Sequence, residues 1–420
     1  MGLCKTVCVS VSIVKFSELL GNSNFKKFVA ARFLSNVGNG MTAVAMSFGV
    51  LSIEGATKTN LSLAMACLWV PMVALMLIGG VFADRVRRNL LVGRTDLLAG
   101  VVAAGMAVNF FGGDASIVVV YVLNFLFGIL VALWVPAFLG LLPLIVNENE
   151  LQSANSIMGM MTNFGFLIGA FAGGSIVAGA GPGWAFAVDA GSFVIAGLLV
   201  LNLKIDDVPR GPNQRAPSLI HELREGWTEL LVRKWVWAII LGASILNMSW
   251  ETVLAVLGPL QFSEQYGGAR QWGILIGFES FGMLVGVLIA IRIRPRHPMR
   301  LAMCALLLPS LLTIGIGVQL RLWILAILAV GAGIGIDIFG VIWLTSIQRS
   351  VPSDSLSRVM SYDAFGSNIF VALGLVTAGP LAQWIGTGRS LIAIGLVSIS
   401  AILATLSVRE VREMRGDISA

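Results

Sequence analysis

Residues Leu151 to Trp184 read LQSANSIMGMMTNFGFLIGAFAGGSIVAGAGPGW, and residues Leu356 to Arg389 read LSRVMSYDAFGSNIFVALGLVTAGPLAQWIGTGR. One shift of 205 residues pairs Leu151 with Leu356, Ser156 with Ser361, Asn163 with Asn368 and Gly169 with Gly374. The same shift pairs Gly174 with Gly379, Gly181 with Gly386 and Gly183 with Gly388. A single offset, close to half of the 420 residues, marks an internal duplication of the chain. Each copy is apolar on both sides of its Gly-x-Gly pair, so the shift lays one pair of consecutive helices on another.

The rest of the chain is built from the same material. It is 57% hydrophobic and 12% charged, with a mean hydropathy of +0.89. Soluble domains carry about twice that share of charge. A helix needs about 20 apolar residues to cross the hydrocarbon layer, and charge-free runs of that order occur at Phe33–Ile53, Thr59–Ala83, Ala115–Asn147, Leu301–Leu320 and Ala364–Gly388. Barrel strands are half as long and alternate in polarity, so these runs are helices. Breaks at Gly, Pro and charge predict twelve, near 28–53, 61–82, 90–111, 116–142, 156–178, 184–203, 235–260, 272–291, 300–318, 322–347, 361–384 and 390–408. The predicted fold class is an all-α membrane protein of twelve transmembrane helices in two pseudo-symmetric six-helix halves, 1–203 and 235–420. Residues 204–234 join them as a tether, with Leu219, Leu223, Trp227 and Leu231 at amphipathic spacing.

Charge gives the orientation. Of 28 Lys and Arg, all but Lys58, Arg270, Arg321 and Arg389 fall on the side that carries both ends of the chain. The positive-inside rule places that side in the cytoplasm of a cell membrane, so the net charge of +6 reads as topology rather than as a nucleic-acid surface. The four cysteines have no metal-type spacing, and His221 and His297 fall in loops, so neither a metal nor a cofactor is expected. No phosphate-cradling Gly-x-x-x-x-Gly-Lys-Ser/Thr occurs. Uphill transport then draws on an ion gradient, and one charge moved through 100 mV supplies about 2.3 kcal/mol.

After the second helix the chain reads Gly80-Val81-Phe82-Ala83-Asp84-Arg85-Val86-Arg87-Arg88. Glycine permits close approach of a neighbour, the carboxylate suits the positive end of a helix, and the arginines anchor the turn. Helix 5 carries Gly165, Gly169, Gly173 and Gly174, whose spacing lets two helices pack closely. The first segment resembles the loop 2–3 signature of the major facilitator superfamily, with Arg87 where that signature has glycine. The second is similar to the signature of its drug–proton antiporters, with Ala170 in place of a proline. Further residues, among them Gly181-Pro182-Gly183-Trp184-Ala185-Phe186 with Asp189, Glu222-Leu223-Arg224-Glu225-Gly226 and Val351-Pro352, resemble the branch that includes macrolide effluxers and the enterobactin exporter. The resemblance implies that Gly80, Asp84, Arg85 and Arg88 form a cytoplasmic gate and that helices 1, 4, 7 and 10 line the central cavity. Relatives often carry aspartate where Asn39 stands, so Asn39 cannot serve here as a coupling acid.

A carboxylate inside a spanning helix costs about 2.5–3.5 kcal/mol on insertion scales, so each needs a reason. Glu251, Asp337 and Glu279 are the candidates for proton coupling; with helices 7 and 10 at the cavity, Glu251 and Asp337 lead. Glu279 is expected near an outer vestibule, and Asp189 as a hydrogen-bond partner between helices. With Arg32 counted in the terminal flank, no base is expected mid-membrane, which favours an apolar, neutral or cationic substrate. Asn36, Asn39, Asn124, Trp134, Asn247, Trp250 and Trp343 are the candidates for its cavity. The expected protein is a monomeric secondary transporter whose partners are a small-molecule substrate, protons and lipid, exporting a drug-like or siderophore-like amphiphile. A proton symporter or facilitator and a non-transporting receptor or scaffold are the alternatives. No nucleophile–base pair is visible, so an enzyme is not expected.

Overall fold

A computed structural model of the chain describes residues 19, 21–147, 150–205, 234–290, 292–293, 295–350, 360, 363 and 365–414, with the backbone alone at 77–85, 152 and 349. It is all-helical. The spanning helices are α1 (Ser23–Ser52), α2 (Lys58–Arg85), α3 (Arg88–Phe111), α4 (Ile117–Leu139), α5 (Leu151–Ala180) and α6 (Pro182–Leu201). They continue as α7 (Lys234–Gln265), α8 (Ala269–Ala290), α9 (Pro298–Gly317), α10 (Leu322–Ser350), α11 (Phe365–Ile385) and α12 (Thr387–Ser407). All twelve fall within about five residues of the bounds expected from sequence, which is about one and a half helical turns or less. The amphipathic tether lies outside the described residues.

Eleven of the helices are apolar enough over 18 residues to qualify as spans by composition, and α1 is the exception. Its length is sufficient at 30 residues, but Asn36, Asn39, Thr42 and Ser47 interrupt the apolar face. A spanning helix that keeps polar groups turns them inward, since lipid offers no hydrogen bonds. The lipid-facing surface is apolar, with Val101, Val108, Trp323 and Leu403 all exposed.

The duplication is visible in the backbone. Gly181 and Gly386 each end one helix and start the next, with φ/ψ of 90°/165° and 89°/152°. Positive φ of this kind is glycine territory, which accounts for both glycines in the repeat. Small residues also bring helices together. A Cβ on Gly165 would stand 2.7 Å from the Phe33 carbonyl oxygen, and one on Gly173 would stand 2.6 Å from Met41 Cα, so α5 lies directly against α1. Gly174 faces α8, where its added Cβ would lie 3.0 Å from Gly273 Cα. Such contact stabilises bundles in lipid through close packing.

The two faces of the bundle differ. Toward the face opposite the termini, buried side chains of α1–α6 and α7–α12 merge into one apolar cluster. Polar contacts reinforce that seam. Lys58 Nζ meets Glu264 Oε1 at 2.6 Å and donates to Thr387 Oγ1 at 2.8 Å. Ser47 Oγ donates to the Ala255 carbonyl at 3.0 Å. Ser62 Oγ donates to the Leu375 carbonyl and accepts from Gly379 N at 2.9 Å. Toward the terminal face, the described core is two separate clusters, one from each half. Among the described residues, the halves share one core on one face and keep separate cores on the other.

Candidate functional site

Two chambers lie within the first six helices. The deeper one, about 240 Å³, is lined by α1, α2, α3, α4 and α6 and closed by Glu251, Leu254 and Ala255 of α7. Its polar groups are Asn39, Thr42, Ser47, Asn124, Asp189 and Glu251; Met46, Met65, Trp69, Met106 and Phe186 are among its apolar ones. The second chamber, about 200 Å³, is lined by Arg32, Ser35, Thr95, Asp96 and Trp134 among others. Asn39 and Phe127 belong to both linings.

Asp189 was expected to be a link between helices, and it also reaches the deeper chamber. It is 1% exposed. Thr42 Oγ1 donates to its Oδ2 at 2.6 Å, and Ser192 Oγ donates to its Oδ1 at 3.1 Å. A Cβ on Gly38 would overlap that carboxylate, so the glycine makes the room in which the acid sits. Buried acids persist when hydrogen bonds satisfy them, and α1 supplies both the space and one donor.

Glu251 approaches from the other half. It is followed at once by a π-helical turn, Val253–Leu257, and Thr252 Oγ1 is buried there without a partner. Single π turns widen a helix and are frequent at functional sites. Asn124 donates to the Ala64 carbonyl at 2.8 Å, which ties α4 to α2 while its side chain lines the chamber.

The other candidates are dispersed. Glu279 does not face an outer vestibule: it is 5% exposed on α8, enclosed by packing and within electrostatic reach of Glu251. Asp337 accepts from Asn163 Nδ2 at 3.5 Å, bridging α10 to α5, and lines neither chamber. Trp343 Nε1 donates to Asp363 Oδ2 at 3.1 Å, and its ring meets Trp235 edge-on. Asn36 is buried and donates to the Arg32 carbonyl at 2.7 Å. Asn247 and Trp250 line a third cavity, about 100 Å³, with Ser249, Ser310, Thr313 and Ser398 of the second half. α10 therefore contributes nothing to either chamber of the first half.

The expectation that no base lies mid-membrane counts Arg32 in the terminal flank, yet α1 carries it into the bundle. α1 starts at Ser23, so Arg32 sits nine residues in, about 14 Å along the axis at 1.5 Å per residue. Its Nε donates to Thr162 Oγ1 at 3.1 Å. Its guanidinium lies over the rings of Trp134 and Phe138, 5.3 and 4.9 Å from their centroids. Of the gate residues, the side chains of Gly80, Asp84 and Arg85 lie outside the described residues; Arg88 opens α3, and its Nη1 contacts the Gly140 carbonyl at 3.5 Å. No group of three or more His, Cys, Asp or Glu among the described residues is placed to hold a metal ion.

Twelve spanning helices in a duplicated bundle, joined on one face around apolar chambers that hold a few acids, define a secondary transporter. The chain belongs to the Major Facilitator Superfamily, whose sequence profile matches residues 28–362. That is a family of transporters and not of enzymes. The enterobactin exporter EntS of Escherichia coli O81 (strain ED1a) is 24% identical, with 97% of this chain and 98% of EntS aligned. EntS of Escherichia fergusonii matches to the same extent. Among solved structures, a mutant form of the nucleoside transporter NupG superposes with a TM-score of 0.73 at 11% identity, covering 91% of this chain and 99% of NupG. A second NupG structure gives 0.68 at 12% identity. These likenesses in structure bear on the fold alone.

Proposed function

We propose that this transporter exports a small amphiphilic molecule in exchange for protons, from a cytoplasmic membrane in which both termini face the cytoplasm. The observation that carries the reading is the deeper chamber, where Asp189 of the first half and Glu251 of the second share one largely apolar space. A carboxylate can hold either a proton or a positively charged group, so loading one displaces the other. Two acids and no base in that lining favour a neutral or cationic amphiphile. Halves joined on one face and divided on the other support alternating access, with 1–203 and 235–420 rocking about the chamber and 204–234 as tether. The distant likeness to proteins named enterobactin exporters and the basic residues of the terminal face support the direction. We read the chain as acting as a monomer.

The test is uptake of a lipophilic cationic dye into inverted vesicles with an acid lumen. Wild-type protein drives uptake that a protonophore abolishes, and Asp189→Asn or Glu251→Gln removes it. Dye movement that ignores the proton gradient would instead point to a facilitator, and no movement of any panel compound to a receptor or scaffold.

A further inference from the structure

The second chamber has polar groups that the deeper one leaves unused. Asp96 is 4% exposed on α3. It lies within reach of the Arg32 charge and of the buried Trp134 indole N–H, which points at its carboxylate without completing a well-aligned hydrogen bond. Among the described residues, Arg32 donates only its Nε, to Thr162. A carboxylate, a guanidinium and an indole N–H thus face one space of about 200 Å³ with bonding capacity to spare. Buried polar groups in native proteins find partners. Although most of its lining is apolar, the space has room for several waters beside these three groups.

The positions along the helices form a series. Asp96 is eight residues, about 12 Å, from the terminal-face end of α3, and Arg32 is at a similar depth in α1. Asn39 lies two turns deeper on α1 and lines both chambers. On α6, Phe193 lines the second chamber and Asp189, one turn away, lines the first. On α3, Asp96 lines the second chamber and Ala103, two turns on, lines the first. The stacked rings of Trp134, Phe138 and Phe28 pack on the terminal side, with the guanidinium of partly buried Arg32 over Trp134 and Phe138.

We propose that Asp96 is a proton relay of the first half, passing protons between Asp189 in the deeper chamber and solution on the terminal face, through water held at Asn39. The inference rests on the proton-exchange reading above and adds a residue that does not touch substrate. In each step the Asp189 carboxyl gives its proton to water, that water's proton passes on to Asp96, and Asp96 gives it to solvent water. Each carboxyl returns to its carboxylate, and no electron moves. Among the described residues that line this chamber, Arg32 of α1 is the one charged group besides Asp96; α4 contributes Trp134 and α6 contributes Phe193, neither of which titrates. The positive charge lies within reach of the Asp96 carboxylate, so Arg32 acts as a positioning residue.

The experiment compares two modes of the full-length protein in proteoliposomes. Counterflow exchanges dye for dye with no net proton movement, and a pH gradient drives net uptake. Asp96→Asn is expected to lower gradient-driven uptake at least tenfold while counterflow falls less than twofold, and Asp96→Glu restores the drive. Counterflow also reports that the variant is folded. Equal loss in both modes, or an intact drive in Asp96→Asn, overturns the relay while leaving proton exchange standing. Wild-type protein that shows counterflow but no response to the gradient overturns the exchange reading and the relay with it.

Discussion

The chambers of the first half carry Arg32, Asp96 and Asp189, whereas the third cavity, in the second half, is walled by Asn247, Ser249, Trp250, Ser310, Thr313 and Ser398 with no ionisable group among the described residues. The scaffolds around them correspond closely, down to the backbone angles of Gly181 and Gly386. Duplication has therefore preserved how helices turn and approach, while the side chains that face inward have diverged. The second half supplies Glu251 at the edge of its partner's chamber and otherwise acts as a wall. A bundle of this kind needs two similar halves to rock against each other, but one interior is enough to hold the chemistry.

Substitutions of the inward-facing groups test that division most severely. Asp189→Asn and Glu251→Gln are each expected to lower gradient-driven uptake by about a hundredfold, the lower end of what a positioned proton carrier contributes in catalysis. Asn247→Ala and Ser310→Ala, in the corresponding interior of the second half, are expected to change it less than about twofold by the same reasoning. Comparable losses from both sets in the same vesicle assay would break the comparison.

The scaffold should respond symmetrically. Gly181→Ala and Gly386→Ala put a side chain at φ near 90° in both halves. Each is expected to destabilise by about 1–3 kcal/mol, the range for backbone held in such regions. Thermal melts in detergent read this directly. A loss confined to one of the two would mean that the halves differ in backbone as well as in chemistry.

How much of this was visible in the sequence follows from the same contrast. Hydropathy and the 205-residue shift give the helices and their pairing, because lipid rewards continuous apolar runs and glycine is needed wherever φ is positive or backbones meet. Asn39, Asn124 and Glu251 stand out as polar groups in apolar surroundings, and the structure brings all three to one chamber. Asp189 was visible as an acid but not as a member of that chamber. Its direction depends on Gly38 and Thr42 of another helix, which no pattern along α6 encodes. Arg32 was hidden because Lys26 and Lys27 precede it, so that a helix starting at Ser23 looks like a basic flank. Asp337 and Trp343 lie on helix 10, which lines a cavity as helix 4 does, but through Ile336 and Phe339 and in the second half, away from the chambers that hold the acids.

The smallest effect is expected at the seam, where the halves contribute unequally: Lys58 comes from the first, Glu264 and Thr387 from the second. The ion pair is partly exposed, with side-chain exposures of 28% and 36%, and pairs in contact with water contribute about 0.2–1 kcal/mol. Lys58→Ala should therefore shift the balance toward the form open on this face by at most about fivefold. Spin labels on Asn147→Cys and Arg292→Cys, exposed positions at the terminal face of each half, would report it after Cys4, Cys8, Cys67 and Cys304 are replaced. Unlatching one face lets the other close, so the short-distance population should grow in Lys58→Ala and in Glu264→Gln alike. An unchanged distribution would mean that the apolar cluster alone holds the seam, and that the polar contacts merely decorate a surface closed by packing.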